Sequence, residues 1–261
     1  MNISSLVGVL VGLGVVAASL IETGMDLKFF LNFHGVIIVC GGTFAAAAIS
    51  YPLGKIFMLT RVFFNRLLGK SRIDYQGSIE QLLEINKKFS LGLVSGSDVA
   101  NLASHPFLKE AVILVADGVL NEKEIRAVLE QRLKTIEYQY QHEAHMFKAL
   151  GKYPPAFGLL ATTLGMIALL QQIGKPGAEK LIGPAMSIGL VGTLYGIGLA
   201  NLFFIPVSDA LADKTEEEMS LRRMMVEGAV LLKQRVNPLF MRENLNSFLM
   251  PKDRIRRKTA A

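Results

Sequence analysis

Two hydroxyl side chains are the first candidates for chemistry, because each lies near the middle of a long segment without charge. Thr162 lies within residues 153–174, and Thr193 lies within residues 181–208. If both segments are helices joined by a short loop, they run antiparallel and the two hydroxyls lie at similar depth. Hydroxyl and carbonyl oxygens together can coordinate a small cation. The alternative for each threonine is a hydrogen bond back to its own helix, which is common.

Motifs for catalysis are absent from the sequence. It contains no G-x-x-x-x-G-K-[ST], no G-x-S-x-G and no H-E-x-x-H. The single cysteine, Cys40, excludes an intramolecular disulfide and a cysteine-based zinc cage. His142 and His145 lie three residues apart, and with no third ligand in view we interpret them as a solvated helix face. We therefore expect neither an enzyme, nor a metal site, nor a bound cofactor.

Four segments free of Asp, Glu, Lys and Arg indicate that the chain crosses a membrane. They are residues 1–21, 29–54, 153–174 and 181–208, each with an apolar stretch near the roughly 20 residues that a spanning helix needs. Apolar residues make up 51% of the 261-residue chain and charged residues only 19%. We predict spans at about 3–21, 33–51, 153–173 and 183–207. The first is interpreted as a retained helix, because no basic segment precedes it.

The basic residues orient these spans. Of the 28 Lys and Arg residues, 14 lie between residues 53 and 153 and 11 lie from residue 209 onward. The positive-inside rule places both regions, and both termini, in the cytoplasm. The net charge of +6 belongs to this face. It can reflect topology alone, or attraction to anionic lipid or to an acidic partner; we expect no nucleic-acid partner.

The fold class predicted is all-α. We expect a transmembrane hairpin at 1–52, a cytoplasmic helical domain at 53–152, a transmembrane pair at 153–208 and a cytoplasmic helix with a basic tail at 209–261. Within the cytoplasmic parts, helices are predicted at 55–70, 78–91, 107–116, 121–150 and 209–235, the fourth opened by a capping box at Asn121 and Glu124. Three acidic residues at 216–218, followed by Arg222 and Arg223, predict a salt-bridged helix surface.

Prolines mark the cytoplasmic ends of the last two spans. Pro154 and Pro155 open the third span, as first-turn prolines do. Pro206 lies near the exit of the fourth within a stretch that continues as helix, so a bend is expected there. That bend can act as a lever or be passive geometry. Because no span contains an acidic or basic residue, a partner chain must supply charge if ions cross, or hydroxyls and carbonyls must coordinate them.

Several segments resemble the flagellar stator A subunit, the MotA/PomA family within the MotA/TolQ/ExbB superfamily. Residues 155–165 (PAFGLLATTLG) resemble its third membrane helix, and residues 182–196 (IGPAMSIGLVGTLYG) resemble its fourth closely. The likeness continues through residues 201–206 (NLFFIP) and, in the tail, through Arg222-Arg223, Glu227-Gly228 and Asn237-Pro238. Four spans, short outer loops, a large inner loop and the chain length fit the whole sequence, nearest to the PomA-like branch.

The resemblance implies an assembly in the bacterial inner membrane. Five A subunits surround two copies of a single-span B subunit of the MotB or PomB type, which is anchored to peptidoglycan and brings an ion-carrying aspartate. Ion flow rotates the A ring, whose cytoplasmic domain pushes the rotor protein FliG. Pro155 and Pro206 match the functional prolines of the family. Lys87, Lys88 and Asp98 are the nearest matches to its rotor-facing charges, although a solvated helix face is the alternative.

The transported ion follows from the resemblance as well. Thr162 and Thr193 match the threonines that face the B helix, and threonine at both positions favours sodium over the proton. Ala161 and Thr163 depart from the usual Gly and Leu beside Thr162. The expected function is thus an ion-driven, torque-generating stator subunit. Its rivals are a proton-channel energiser of the ExbB/TolQ type, which usually has three spans, and a stand-alone small-solute transporter, which usually keeps charge within the membrane.

Overall fold

The computed structural model describes residues 30–68, 73–90, 102–177 and 179–255, together with residues 8, 10–12, 14, 15, 18, 19 and 22. These residues form helices, turns and connecting segments without a strand, so the all-α prediction is confirmed. The helices are α1 (Phe33–Ser50), α2 (Leu53–Val62), α3 (Tyr75–Ser90), α4 (Pro106–Ala116), α5 (Glu122–Leu150), α6 (Tyr153–Gln172), α7 (Glu179–Leu199), α8 (Ile205–Lys233) and α9 (Pro238–Asn246).

Three stretches of described helix are long and apolar enough to cross a membrane. They lie in Phe33–Ser50, Glu122–Gln172 and Ile182–Lys233, where the mean hydropathy of the most apolar window is 1.7, 1.5 and 1.8. These stretches contain the predicted second, third and fourth spans. The predicted first span, at 3–21, falls largely outside the described residues. In the second and third stretches, the segments without Asp, Glu, Lys or Arg are residues 153–172 of α6 and residues 182–208.

Short π-helical segments interrupt the regular winding of the apolar helices. One covers Ile37–Gly41 within α1, one covers Phe63–Leu68 after α2, and one covers Ala200–Phe204 between α7 and α8. Pro206, the second residue of α8, lies two residues beyond the last of them. Proline has no backbone N–H to donate, and a π-bulge is a recognised cause of helix bending. A change of winding thus lies beside the proline where the bend is expected, in a chain that stays helical from Glu179 to Lys233.

The chain divides into two compact units, each of which combines two separate stretches of the sequence. The first contains residues 1–70 and 141–212, and the second contains residues 71–140 and 213–261. In the first unit, Leu59 and Val62 of α2 join Phe147 of α5 and Leu211 of α8 in one buried cluster. The ends of the predicted cytoplasmic domain thus pack with the membrane helices.

The second unit has its own core, built from α3, α4, α9 and parts of α5 and α8. Its fully buried side chains include Ile79, Leu82, Ile85, Leu108, Ile125, Leu129, Met224, Met225, Leu232 and Leu245. The tail therefore shares a core with the central region, whereas the sequence predicted separate parts. The predicted capping box is confirmed: Asn121 N–H donates to Glu124 Oε2 at 2.8 Å, and Glu124 N–H donates to Asn121 Oδ1 at 3.0 Å.

Each arginine on α8 meets only part of the predicted salt-bridged surface, since Arg223 is exposed but pairs with a residue of α5, and Arg222 makes the predicted pair within α8 but is largely buried. Arg223 is 58% exposed in its side chain and pairs with Glu137 at 3.1 Å. Arg222 pairs with Glu218 at 3.3 Å, but these two side chains are only 11% and 13% exposed. Arg222 also lies over the ring of Tyr140, 5.5 Å from its centre. The apolar stem of the arginine lets it pack into the core while its head group finds a carboxylate.

Candidate ion-conducting site

Helices α6 and α7 approach each other through glycines. A Cβ atom at Gly158 would lie 3.0 Å from both Gly192 O and Thr193 Cα, and one at Gly189 would lie 2.8 Å from Thr162 Cα. Real side chains do not fit at such distances, so the contact requires glycine at both places. The order of these contacts along each helix shows that the helices are antiparallel, as predicted. Thr162 and Thr193 consequently lie at the same level.

The two predicted threonines contact each other. The Oγ1 atoms of Thr162 and Thr193 are 2.5 Å apart. Thr162 Oγ1 also lies 2.9 Å from Gly189 O on the opposite helix and 3.3 Å from Gly158 O on its own helix. Thr193 Oγ1 lies 3.1 Å from Gly158 O, again across the helix pair. We refer to these four oxygens, two hydroxyl and two carbonyl, as the threonine cluster.

The threonine cluster has more acceptors than hydrogens. Its four oxygen atoms make four contacts of 3.3 Å or less, but the two hydroxyls carry only one hydrogen each. At any moment at most two of the contacts can be hydrogen bonds, and the others bring oxygen lone pairs together. A cation or a hydrogen-bond donor at this point would remove that repulsion. Both threonines are half-buried, so the cluster remains accessible from one side.

The two residues beside Thr162 differ in what they contact. Ala161 is fully buried, and a Cβ atom at Gly192 would lie 2.5 Å from its Cβ. The alanine therefore occupies the space that Gly192 leaves free, one residue from Thr193. Thr163 is exposed and donates back to Leu159 O at 3.0 Å. This hydrogen bond to a carbonyl of its own helix is the alternative that the sequence left open for Thr162 and Thr193.

The predicted prolines lie at helix starts near this pair. Pro154 and Pro155 are the second and third residues of α6. A Cβ atom at Gly196 would overlap Pro154 O and lie 3.2 Å from Pro155 Cα, so α7 touches the first turn of α6 directly. Pro206 lies just beyond the π-helical segment that ends α7. The structure thus places Pro155 in the first turn of α6 and Pro206 in the first turn of α8, which continues from α7 through the π-helical segment.

Two tyrosine hydroxyls, which the sequence analysis did not single out, connect α1 and the residues just before it to α6 and α7. Tyr153 OH and Ser50 Oγ are 2.6 Å apart, and Tyr195 OH donates to Phe30 O just before α1. A Cβ atom at Gly35 would also lie 3.4 Å from Gly192 N. The signal that could have revealed these contacts is a tyrosine within an otherwise apolar segment, since a buried phenol needs a partner.

The remaining predicted residues lie elsewhere in the fold. Lys87 and Lys88 belong to the last turn of α3; Lys87 is exposed, and Lys88 pairs with Glu84 at 2.9 Å. Asp98 lies outside the described residues. His142 is half-buried and His145 is exposed. Across the part of the chain that the structure describes, no group of three metal-ligating side chains occurs.

The fold and the site together define a helical membrane protein whose polar groups converge between two closely packed spans. Over residues 99–224 the chain matches the MotA/TolQ/ExbB proton channel family. It is 31% identical over 257 residues to motility protein A of Borreliella burgdorferi, covering 97% of this chain and 96% of that protein. It is 25% identical over 251 residues to chemotaxis protein PomA of Vibrio alginolyticus, covering 95% and 96%. The chain therefore belongs to the motility protein A family, within the MotA/TolQ/ExbB proteins.

Solved structures show the same fold. The C. jejuni MotAB structure matches with a TM-score of 0.86 at 20% identity, covering 98% of this chain and 99% of that chain. The flagellar MotAB stator complex of Bacillus subtilis matches with a TM-score of 0.85 at 23% identity, covering 95% and 96%. The helical architecture thus extends across essentially the full length of both.

Proposed function

We propose that the chain is an ion-driven, torque-generating stator subunit of the bacterial flagellar motor. The observation that carries this proposal is the threonine cluster, which brings four neutral oxygens together between two uncharged, membrane-length helices. A channel wall needs such groups to replace the hydration shell of an ion. The names of the relatives, motility protein A and PomA, support the link to motility.

A partner must supply the charge that this chain lacks. Residues 153–174 and 181–208 contain no Asp, Glu, Lys or Arg, and four neutral oxygens do not balance a bare cation in a bilayer. In the proposal, a single-span B subunit of the MotB or PomB type brings an aspartate to the level of the threonine cluster. Five copies of this chain surround two of the partner, and ion flow turns the ring so that its cytoplasmic part pushes FliG. The assembly lies in the bacterial inner membrane, with both termini of this chain in the cytoplasm.

Sodium is the proposed ion in preference to the proton. A cation coordinates oxygen lone pairs directly, and the threonine cluster has more lone pairs than hydrogens. An aspartate from the partner can hold either ion, so the preference for sodium rests on the neutral oxygens that this chain adds; residues 153–174 and 181–208 offer no acidic, basic or histidine side chain. Sodium is here the transported substrate, so no resident cofactor is required.

The test is swimming speed in a strain that lacks this gene and is complemented with the chain and its partner, scanned against external sodium at fixed pH. Speed that rises and saturates with sodium supports the proposal. Motility that ignores sodium but stops with a proton uncoupler retains the stator and changes the ion. Motility that never depended on this gene would favour the second candidate, an energiser of the ExbB/TolQ type, which the match to the shared proton channel family keeps in view.

A further inference from the structure

The first unit contains an apolar cavity of about 490 Å³ that the ion path does not use. Its walls come from α1, from α2 with the following π-helical segment, from the end of α5, and from the junction of α7 and α8. Six phenylalanines line it: Phe44, Phe63, Phe64, Phe147, Phe203 and Phe204. Of these, Phe44 is 51% exposed and Phe64 is 60% exposed. The cavity therefore opens to the surroundings of the helices through an aromatic rim, and its volume lies in the usual range for ligand sites.

We propose that this cavity binds an acyl chain of an anionic phospholipid from the bilayer leaflet next to α2. Its position in a membrane-spanning unit makes lipid its natural surroundings. An apolar surface of this size is not left in contact with water, since its burial is favourable. Within a bilayer, the occupant that reaches such an opening without a specific encounter is a lipid chain.

The charges near the cavity select the headgroup. On α2, the lining residues Ile56, Leu59 and Thr60 form one face, and at about 100° per residue Lys55 borders this face while Arg61 lies on the far side of the helix. Lys55 is exposed. A basic residue beside an apolar face is typical of a helix that meets an anionic membrane surface.

Two further lysines lie close in sequence to residues that line the cavity. Lys148 follows the lining residue Phe147, and Lys152 lies in the turn after α5; both are exposed. None of the three lysines, Lys55, Lys148 and Lys152, has an ion-pair partner among the described residues. Their charge is therefore available to a phosphate group at the membrane surface.

The test uses photolabelling of the full-length chain in phosphatidylcholine vesicles that contain a small fraction of phosphatidylglycerol with a diazirine in one acyl chain. After illumination, peptides are mapped by mass spectrometry. We expect adducts on the residues that line the cavity. Two filling variants, Ala47→Phe from the buried wall and Thr60→Phe from the exposed rim, should each lower this labelling several-fold. The matched control is Ala45→Phe, on the same helix as Ala47 but exposed and outside the lining.

Adducts at Leu159 and Leu164, exposed residues of α6, provide an internal reference that should not change in the filling variants and that reports a folded, inserted protein. The headgroup is tested with Lys55→Gln/Lys148→Gln, which should remove the preference for labelled phosphatidylglycerol over labelled phosphatidylcholine, while Lys175→Gln in the α6–α7 connection should not. Labelling spread evenly over the exposed apolar surface and insensitive to both filling variants would overturn the proposal. So would a disulfide between Cys40 and a cysteine placed in a second copy or partner chain, because it would assign the opening to a protein contact.

Discussion

The hydroxyl oxygens of Thr162 and Thr193 lie 2.5 Å apart, on antiparallel helices that meet through glycine. Each hydroxyl also contacts a backbone carbonyl on the opposite helix, at Gly189 and Gly158 respectively. These contacts make the two threonines a single site whose geometry depends on the separation of the helices. Any change that moves the helices apart should therefore act on the site even when both threonines are kept.

Replacing Gly189 with alanine tests that dependence. The new methyl group would lie 2.8 Å from Thr162 Cα, a backbone atom that cannot turn aside, so the helices must separate. We expect destabilisation of about 1–3 kcal/mol and loss of ion-driven motility. Thermal unfolding in detergent and swimming speed measure the two effects. The matched control is Gly183→Ala on the same helix, where a Cβ meets no atom within 4 Å; if both variants behave alike, close packing at Gly189 is not what matters.

Ala161 and Gly192 provide a reciprocal test. In Gly192→Ala the added methyl group would lie 2.5 Å from the Cβ of Ala161 and no closer than 3.9 Å to any other group. Ala161→Gly removes the single close contact, so the double variant should regain most of the stability and motility that Gly192→Ala loses. Residues in direct contact show interaction energies of about 0.5–3 kcal/mol in such cycles. Additive losses in the double variant would contradict the geometry described for this pair.

His105 predicts a pH dependence in the second unit. Its Nδ1 atom accepts the N–H of Phe107 at 3.2 Å and so caps α4. Burial, and then the nearby Arg222 guanidinium, lower the pKa of His105 below 6.5. As pH falls below 6.5, His105 becomes protonated in the unfolded chain while it stays neutral in the folded chain. The stability that is present above pH 6.5 is therefore lost as the pH falls towards the lowered pKa of His105.

Two substitutions separate the cap from the charge at this position. His105→Asn keeps an N-cap acceptor without a titratable group, so it should remove this part of the acid sensitivity. His105→Ala should remove the cap as well, at a cost of about 0.5–2 kcal/mol. Hydrogen exchange of the amides in the first turn of α4, measured from mildly acidic to mildly basic pH, reports both effects. Equal acid sensitivity in the wild type and in His105→Asn would show that another group is responsible.

The sequence predicts the helices well and their packing less well. Uncharged segments and the capping box at Asn121 locate helix positions because those signals are local. The assignment of the tail to the second unit is not local. It depends on contacts such as that between Leu82 and Gly228, where an added Cβ would lie 2.5 Å from the leucine side chain. The burial of Arg222 has the same origin, since nothing in the residues around it reveals the ring of Tyr140.

For the candidate site, too, the sequence predicts the positions of the residues better than their contacts. Antiparallel spans place Thr162 and Thr193 at one depth, which sequence patterns can predict. Whether each hydroxyl bonds to its own helix or to the other depends on a helix separation that only glycine permits, at Gly158 and Gly189. Glycine in an apolar segment signals close packing without naming the partner helix. The sequence therefore indicates where the threonine cluster lies, whereas the oxygens that meet there become clear only once the two helices are packed.

The most direct test of the account compares Thr193→Val with Thr193→Ser in sodium-dependent swimming. Valine keeps the shape of threonine and removes the oxygen, whereas serine keeps the oxygen and removes the methyl group. Loss of one polar ligand from a half-buried site costs about 1–3 kcal/mol, so the sodium concentration for half-maximal speed should rise roughly five- to 150-fold in Thr193→Val and change little in Thr193→Ser, with both proteins present in the membrane at wild-type levels. The same sodium dependence in both variants and the wild type would contradict the role of the threonine cluster in ion passage.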